Sequence, residues 1–391
     1  MHRGDDADAA RVLLVNQGAL GTAVAGQLTV ERALRQGLAD TGIDASFVRL
    51  APKNTFEKIL AVDVPGLTSA DLDLHALRWH LVESWRGRRA VRSALVTRPA
   101  GSVHVTSHTA GLFLGRTARE RALWLCVDAT IRQWDGLGIF RPVRTWSAQA
   151  LKPSLVLERR AFAAARGIVA MTEWAARGVL AEVPDARVHV LHPGLDLQRW
   201  NPGRSGSAAT SSASAPDPIR VLMVATRFEQ KGGEDLLSAL APRLGHDVVL
   251  DVVTRDPVAP RLGLRLHELD HDDPALLDLY RRADVFCLPT RGDAVPWVVL
   301  ESMATGTPVV ASDLGALPEL LGPDSERGVL VGVRDVAALR AALDGLLDDA
   351  PRRRRMALAS RAHVQERFDV VQQGRRLAAL LHPAEAPGLP R

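Results

Sequence analysis

Residues Cys287 to Glu319 read CLPTRGDAVPWVVLESMATGTPVVASDLGALPE, a stretch that combines a strand, a charged loop, a helix and a second charged loop. Two carboxylates, Asp293 and Glu301, stand eight positions apart within it. We expect the helix to begin near Pro296, because proline suits a first helical position. Asp293 then lies in the loop before the helix and Glu301 about one turn inside it. Both carboxylates are therefore predicted to lie beside one helix N-terminus.

That helix end is the reason to expect a ligand. Its N–H groups are unpaired and it carries a partial positive charge, so it favours phosphate. A carboxylate beside it repels phosphate, and its usual purpose is to hold hydroxyl groups such as those of a ribose or a hexose. The stretch therefore indicates a nucleotide-sugar site. Each residue alone also has a structural explanation: Asp293 as a helix cap, Glu301 as a solvated side chain and Gly306 as a C-terminal cap.

Length and composition indicate a globular protein of two domains. The chain has 391 residues, of which 47% are hydrophobic and 24% charged, and this length exceeds one ordinary core. No apolar run approaches a membrane span, and the opening MHRGDDADAARVLLV lacks the order of a signal peptide. We therefore expect a cytoplasmic protein. Cys126 and Cys287 lie far apart in apolar runs, so we expect buried thiols and neither a disulfide nor a cysteine-rich metal site.

The net charge of +4 reflects an excess of arginine, which is compatible with anionic substrates, nucleic acid or a membrane surface. Aromatic residues make up only 4% of the chain and no nucleic-acid module is recognisable, so we expect no nucleic-acid partner. The most basic segment, 78–92, predicts an amphipathic helix with Trp79, Leu81 and Trp85 at helical spacing. Such a face usually packs in the core. The alternative is peripheral attachment to a membrane with anionic lipid.

Two distant segments open with nearly the same apolar run, RVLLVN at 11–16 and RVLMVA at 220–225. Each is typical of a strand buried on both faces and is followed by a loop and a helical pattern. Further strand candidates alternate with helical stretches, which predicts parallel α/β sheets. The tract 201–217 is rich in Ser, Ala, Pro and Gly and indicates a linker. We predict domains at 1–199 and 219–365, a linker at 200–218 and a helical tail at 366–391.

Two basic residues follow the strand at 220–225. Arg227 and Lys231 precede a glycine pair at a strand-to-helix turn. Two positive charges fixed there predict a diphosphate site, where each charge-assisted hydrogen bond contributes roughly 1.5–3 kcal/mol. The alternative for such a pair is a surface arginine and lysine bound to the neighbouring Glu229 or Glu234.

Taken together, the R-x3-K-G segment, the run LDLYRRADVFCLPT and the two carboxylates resemble the donor domain of family 4 glycosyltransferases. The resemblance covers nearly all of the second half, reaches back to HPGLD at 192–196 and extends less securely into the first half. It implies an α/β GT-B fold of two facing Rossmann-like, doubly wound domains with an interdomain cleft. It also implies that a sugar passes from a nucleoside diphosphate to an acceptor hydroxyl with retention of configuration. The nucleotide sugar is a co-substrate, and no cofactor is expected.

Carried over residue by residue, the resemblance implies that Arg227 and Lys231 bind the donor diphosphate. It implies that Glu301 holds the ribose and that Asp293 faces the donor sugar as a catalytic candidate. The chain departs from the family where Asp293 is followed by Ala-Val-Pro, because the family usually has Glu followed by Gly-Phe-Gly. Aspartate is one methylene shorter, and Pro296 has no N–H to donate. Val295 and Pro296 thus belong to the predicted donor-sugar contacts, where sugar choice or loss of activity would be encoded.

The first half supplies a catalytic candidate, His108, at the end of the strand-like run at 103–106. The resemblance implies a histidine near the transferred sugar, and its pKa range suits proton handling. The alternative is a structural histidine. Gly18 and Gly21 follow the first strand, in a loop that the resemblance places near the diphosphate and the acceptor. Residues 128–135 fit either an acceptor pocket or a capped helix start.

The run Asp270-His271-Asp272-Asp273 has the composition of a metal cluster, but it precedes Pro274 and a helical pattern. Acidic residues in that position cap a helix, so we expect no metal site. Arginine, lysine and helix N-termini then stabilise the departing diphosphate. The expected acceptor is a glycan, a lipid-linked molecule or a small molecule. A phosphorylase, a nucleotide-sugar epimerase and a non-catalytic scaffold of the same fold are the alternatives.

Overall fold

The computed structural model describes residues 11–17, 25–62, 74–138, 149–203 and 217–381, with the backbone alone for 25–28. The chain divides into two compact units. The first is formed by Met1–Gly194 and Val370–Arg391, and the second by Leu195–Asp369. Most of the predicted linker lies outside the described residues, and the last described helix is part of the first unit.

The first unit is built on a six-stranded parallel sheet in the order β2-β1-β3-β4-β5-β6. Its strands are β1 (Val12–Asn16), β2 (Ala45–Arg49), β3 (Ser102–Val105), β4 (Ala122–Val127), β5 (Gly167–Ala170) and β6 (Val188–Val190). Its helices up to β6 are α1 (Ala25–Leu38), α2 (Thr55–Leu60), α3 (His75–Thr97), α4 (His108–Gly111), α5 (Gly115–Glu120), α6 (Ile131–Gly136), α7 (Lys152–Ala164) and α8 (Glu173–Glu182). The central strand β1 is buried along its whole length, as its apolar sequence predicts.

The second unit repeats the plan with the order β12-β11-β10-β7-β8-β9. Its strands are β7 (Ile219–Val224), β8 (Val248–Val253), β9 (Leu264–His267), β10 (Val285–Leu288), β11 (Val309–Ser312) and β12 (Val329–Val331). Its helices are α9 (Gly233–Leu240), α10 (Pro274–Arg282), α11 (Trp297–Thr305), α12 (Leu317–Leu321), α13 (Val336–Leu347) and α14 (Ala350–Arg367). The prediction of two parallel α/β sheets is confirmed.

The strand order reverses once in each sheet. In the first sheet the reversal falls between β1 and β3, and in the second between β7 and β10. In open sheets of this kind, ligands bind beyond the carboxyl ends of the strands at the point of reversal. The loops that follow β7 and β10 are therefore the place to look for a ligand site in the second unit.

The final helix, α15 (Val370–Leu381), packs against α1 within the first unit. The contact runs through glycines. A Cβ at Gly374 would lie 1.9 Å from the carbonyl oxygen of Gly37, and one at Gly37 would lie 2.6 Å from the carbonyl oxygen of Val370. The two backbones approach so closely that a side chain does not fit at either glycine.

We expect Gly374→Leu to lower the free energy of unfolding of the first unit by about 3 kcal/mol, because the helices must move apart to admit the side chain. Urea unfolding measures the change. Gly136 is the control, since it is also helical and an added Cβ meets no heavy atom within 4 Å. Gly136→Ala should be neutral or slightly stabilising. An unchanged unfolding midpoint for Gly374→Leu would contradict this account of the packing.

Both cysteines are buried free thiols, as predicted. Cys126 lies in β4 and Cys287 in β10. Burial raises the pKa of Cys126 to about 12. The thiol is therefore protonated at neutral pH and unreactive.

The predicted basic helix is observed as α3, but the core assignment of its apolar residues is wrong for Leu81 and Trp85, which are exposed. The buried side of α3 is largely polar. There, the Glu83 carboxylate pairs with Lys53 at 2.8 Å and with Arg86 at 2.7 Å. Because these charges satisfy one another, the polar side of the helix packs inward. No helix within the described ranges is long and apolar enough to cross a membrane.

Candidate functional site

The loops after β7 and β10 meet at the carboxyl edge of the second sheet, because these strands are neighbours. Lys231 follows β7 and Asp293 follows β10. The Lys231 ammonium donates a hydrogen bond to the Asp293 carboxylate, and each side chain of this ion pair is 18% exposed. The structure thus joins two residues predicted for the diphosphate and the sugar, at the point of strand reversal.

The turn that carries Lys231 is fixed by its glycine pair. Gly232 has a φ of 80°, and a Cβ there would lie 2.0 Å from the carbonyl oxygen of Pro289. A Cβ at Gly233 would lie 2.3 Å from the ring of Phe228. The backbone of the turn therefore packs directly on the end of β10. This close approach places Lys231 opposite Asp293.

Arg227 lies exposed at the start of the same loop, and its guanidinium donates to the side-chain oxygen of Gln230 at 3.1 Å. Arg227 does not pair with the neighbouring glutamates, which was the alternative considered from the sequence. Glu229 pairs with Arg291 at 3.6 Å and Glu234 with Arg261 at 3.6 Å. Over the described part of the chain Arg227 forms no ion pair, which leaves its charge available to an anion.

Arg291 is a residue that the sequence analysis missed. Its guanidinium forms two hydrogen bonds to the carboxylate of Asp235, at 2.9 Å and 3.1 Å. Its backbone N–H also donates to the carbonyl of Gln230 at 3.0 Å. The hydrogen bonding of Arg291 to the Asp235 carboxylate is the main cause that raises the pKa of Arg291. Arg291 therefore ties the loop of Asp293 to the loop of Lys231 and is a positioning residue.

The second carboxylate, Glu301, is not solvated but only 2% exposed inside α11. It accepts hydrogen bonds from His271 Nε2 at 3.1 Å and from the Tyr280 hydroxyl at 2.9 Å. In the sequence, the run around His271 indicates only a helix cap, and no local pattern marks Tyr280 as a site residue. Both side chains hold the Glu301 carboxylate in one orientation.

The contact with Glu301 affects the pKa values of both His271 and Tyr280. Burial lowers the pKa of His271, but the hydrogen bond and charge of Glu301 outweigh burial and raise it above its ordinary value. Two smaller effects come from Arg199, which lowers this pKa, and Asp272, which raises it. Burial, followed by the charge and hydrogen bond of Glu301, raises the pKa of Tyr280 well above its ordinary value. Tyr280 thus keeps its proton and remains a donor to Glu301.

We expect the second unit to lose stability as the pH rises through the raised pKa of His271. This pKa is higher in the folded chain than in the unfolded chain, where it is about 6.5. The protonated imidazole therefore stabilises the folded state fully at pH values below about 6.5, and this stabilisation is lost as the pH rises through the folded-state pKa. Urea unfolding from about pH 5.5 to 8.5 compares the wild type with His271→Gln, which does not titrate. The stability difference between the two should shrink as the pH rises. A difference that stays constant would exclude His271 as the titrating group.

The N-terminal end of α11 is suited to phosphate. The helix begins at Trp297, one residue later than predicted, because Pro296 has a φ of −75° and a ψ of 105° and serves as the N-cap. The first turn has no acidic residue and no side-chain cap, so Asp293 does not cap it. Helix α9 differs, since Glu234 and Asp235 lie in its first turn. An anion is therefore favoured at α11.

The loop that departs from the family pattern is enclosed. Val295 and Pro296 are buried, and the N–H of Ala316 donates to the carbonyl of Ala294 at 3.1 Å. Gly315 has a φ of 57°, and a Cβ there would lie 2.5 Å from the Asp293 carbonyl oxygen. The next loop thus packs on this one through backbone. The contacts of Val295 and Pro296 with the donor sugar stay a prediction.

His108 begins α4 directly after β3 and is buried. Its Nε2 lies 2.9 Å from the Glu158 carboxylate, although the two groups are not aligned as a hydrogen bond. The Phe162 ring lies 5.6 Å from the imidazole, between ring centroids. Neither ring nitrogen of His108 has a hydrogen-bond partner among the described residues, so His108 is not a satisfied structural histidine and its catalytic role stays a prediction. Gly18 and Gly21 lie outside the described residues.

Three local predictions about caps are confirmed. Thr130 and Gln133 form a capping box at the start of α6, which supports the capped-helix alternative for 128–135. The Asp273 side chain caps α10 by accepting from Ala275 N. Gly306 ends α11 with a φ of 77°. Within the described ranges, no group of three His, Cys, Asp or Glu side chains is placed to hold a metal ion.

The two Rossmann-like units define the fold class as GT-B. Residues 219–349 match the family described as glycosyl transferases group 1. The match lies within the second unit and confirms the resemblance to glycosyltransferases predicted from the sequence. The two parallel sheets confirm the predicted fold.

Individual glycosyltransferase relatives and solved structures are also similar to this chain. The chain is 34% identical to an MMP α-(1→4)-mannosyltransferase of Mycolicibacterium hassiacum over 199 residues, which are 48% of this chain and 46% of that protein. It thus spans about half the length of the curated relatives it matches. Sucrose-phosphate synthase of Thermosynechococcus elongatus superposes with a TM-score of 0.72 at 18% identity, over 97% of this chain and 100% of the other. Anabaena Alr3699/HepE, solved with UDP and glucose, has a TM-score of 0.65 at 16% identity, over 95% and 99%.

Proposed function

We propose that the protein is a retaining glycosyltransferase that moves a sugar from a nucleoside diphosphate donor to an acceptor hydroxyl. The observation that carries the proposal is the Lys231–Asp293 ion pair at the strand reversal of a unit that matches group 1 glycosyl transferases. The name of the mannosyltransferase relative and the UDP and glucose bound to the Anabaena protein support a nucleotide-sugar donor. The acceptor is a glycan, a lipid-linked molecule or a small molecule.

In this proposal Lys231 and Arg227 bind the donor diphosphate. Lys231 has three N–H donors, so its ammonium can serve a phosphate oxygen while it keeps its bond to Asp293. Arg227 brings a second positive charge from the surface of the same loop. The uncapped end of α11 adds backbone N–H groups. Together these groups stabilise the negative charge that develops on the departing diphosphate, without a metal ion.

Glu301 binds the ribose hydroxyls. A carboxylate offers about four acceptor positions, and two are taken by His271 and Tyr280. The remaining positions accept from the ribose, while the two protein donors keep the carboxylate oriented. Asp293, released in part from Lys231 by the phosphate, accepts from a hydroxyl of the donor sugar.

A thermal-shift panel of UDP-, GDP- and ADP-sugars tests donor binding. A ligand present at 100 times its Kd should stabilise the protein by about 2.7 kcal/mol. Slow hydrolysis of the sugar nucleotide that binds then separates an enzyme from a non-catalytic scaffold. Phosphate-dependent cleavage would indicate a phosphorylase, and an epimerised donor would indicate an epimerase. The anomeric configuration of the product, read by NMR, tests retention, and a flat panel would overturn the proposal.

A further inference from the structure

One side of α3 exposes large apolar side chains to solvent. Leu74, which precedes the helix, and Leu81, Trp85 and Val96 within it are between 37% and 84% exposed. At 3.6 residues per turn these four positions fall on one side of the helix. Single exposed apolar residues are normal on a protein surface, but a row along one helix indicates an interaction surface.

The neighbouring helix α2 extends this apolar row. Its end lies beside α3, because the guanidinium of Arg78 donates to the carbonyl of Val62 at 3.2 Å. Phe56, Ile59 and Val62 are each more than half exposed. Phe56 and Ile59, three positions apart, lie on one side of α2, and Val62 follows two residues after the helix end. The two helices together present apolar side chains over two adjacent elements.

The charges exposed on these two helices are all positive. The only carboxylates in residues 51–62 and 74–97 are Glu57 and Glu83, and both are buried. Glu83 is neutralised by Lys53 and Arg86. The exposed basic residues there are Lys58, Arg88, Arg89 and Arg92. Over residues 51–62 and 74–97, the exposed large side chains are therefore apolar or basic.

We propose that this exposed side of α2 and α3 docks on a membrane that contains anionic lipid. The apolar side chains, with Trp85 at the centre, enter the boundary between headgroups and acyl chains. The arginines beside them bind lipid phosphates. Since no helix in the described ranges can span a bilayer, the contact is one of peripheral attachment. The inference is independent of the donor site, which lies in the second unit.

The same features disfavour other occupants. A second copy of the chain would bring the same arginines together, because a two-fold interface pairs each surface with itself. These two helices expose no carboxylate to relieve that repulsion. Nucleic acid would bind the arginines but would leave Phe56, Ile59 and Leu81 without apolar partners. A lipid surface satisfies both kinds of side chain.

Co-sedimentation of the full chain with vesicles tests the proposal. We expect binding to vesicles of phosphatidylcholine and phosphatidylglycerol, weakened by salt, and at least about 10-fold weaker binding to phosphatidylcholine alone. Arg88→Glu with Arg92→Glu should weaken binding about 25-fold or more, at about fivefold per basic residue near an anionic surface. Leu81→Ser with Trp85→Ser should weaken it about 10-fold or more through lost apolar burial. The matched control is Arg354→Glu with Arg355→Glu, an equal charge change on exposed residues of the second unit.

All variants replace exposed side chains, and unchanged thermal unfolding verifies that each remains folded. The control variant should bind the vesicles like the wild type, which would show that the surface and not the net charge is responsible. Equal binding to both vesicle types would overturn the proposal. So would equal losses in the two arginine variants, or wild-type binding by the Leu81 and Trp85 variant. RNA binding that survives that variant while vesicle binding is absent would identify nucleic acid as the occupant.

Discussion

Lys231→Ala is expected to lower kcat/KM for the donor about 100- to 1000-fold, the loss typical of one preorganised donor to a developing negative charge. Lys231 is the basic side chain that the structure holds at the strand reversal, in contact with Asp293. Removing it takes away a charge that stabilises the departing diphosphate and leaves Asp293 to repel it. Steady-state kinetics with the donor identified in the thermal-shift panel measures the effect.

The control for Lys231→Ala is Arg265→Ala. Arg265 is an exposed basic residue in β9 of the same unit, so the variant changes the net charge equally. It should retain full activity, since it lies outside the loops after β7 and β10. Wild-type kcat/KM for Lys231→Ala would show that the diphosphate does not bind in this loop.

Glu301→Ala is expected to abolish measurable donor binding and to destabilise the second unit by about 1–3 kcal/mol, the cost of leaving buried donors unpaired. The variant removes the acceptor of Tyr280, which is fully buried, and of His271. Urea unfolding measures stability, and calorimetric titration with the donor measures binding. Glu326→Ala, at an exposed glutamate of the same unit, should change neither.

Glu301→Gln separates the two effects. Glutamine has the same size as glutamate and retains one oxygen to accept from Tyr280, so this variant should recover much of the stability that Glu301→Ala loses. It lacks the negative charge and half of the acceptor positions, so donor binding should remain weak. If Glu301→Ala bound the donor as the wild type does, Glu301 would be a structural carboxylate only.

Several features of the fold and site were predictable because they depend on residues close together in the chain. The apolar runs of β1 and β7 indicate strands buried on both faces, and their alternation with helices predicts parallel sheets. Caps are equally local, as at Asp273 and Gly306. Lys231 and Asp293 were candidates because each follows a strand-like run at a turn. The placement of their loops at one sheet edge follows from the strand order.

Other features depend on contacts between distant residues. His271 and Tyr280 reach Glu301 from 30 and 21 positions away, and Arg291 reaches Asp235 across 56. The residues next to them in the sequence do not indicate that they are partners. The side chains brought together are decided only when the strands assemble.

Helix α3 shows most clearly what the sequence determines and what the tertiary structure decides. Its sequence alone determined an amphipathic helix, because helix formation and the spacing of Trp79, Leu81 and Trp85 are properties of consecutive residues. The tertiary structure decided which side faces the protein. Glu83 and Arg86 pair with each other, and Lys53 reaches Glu83 from the segment before α2, so burial leaves no charge without a partner. The polar side could therefore pack inward and leave Leu81 and Trp85 in solvent, since the cost of burying a charge depends on partners that only the folded chain supplies.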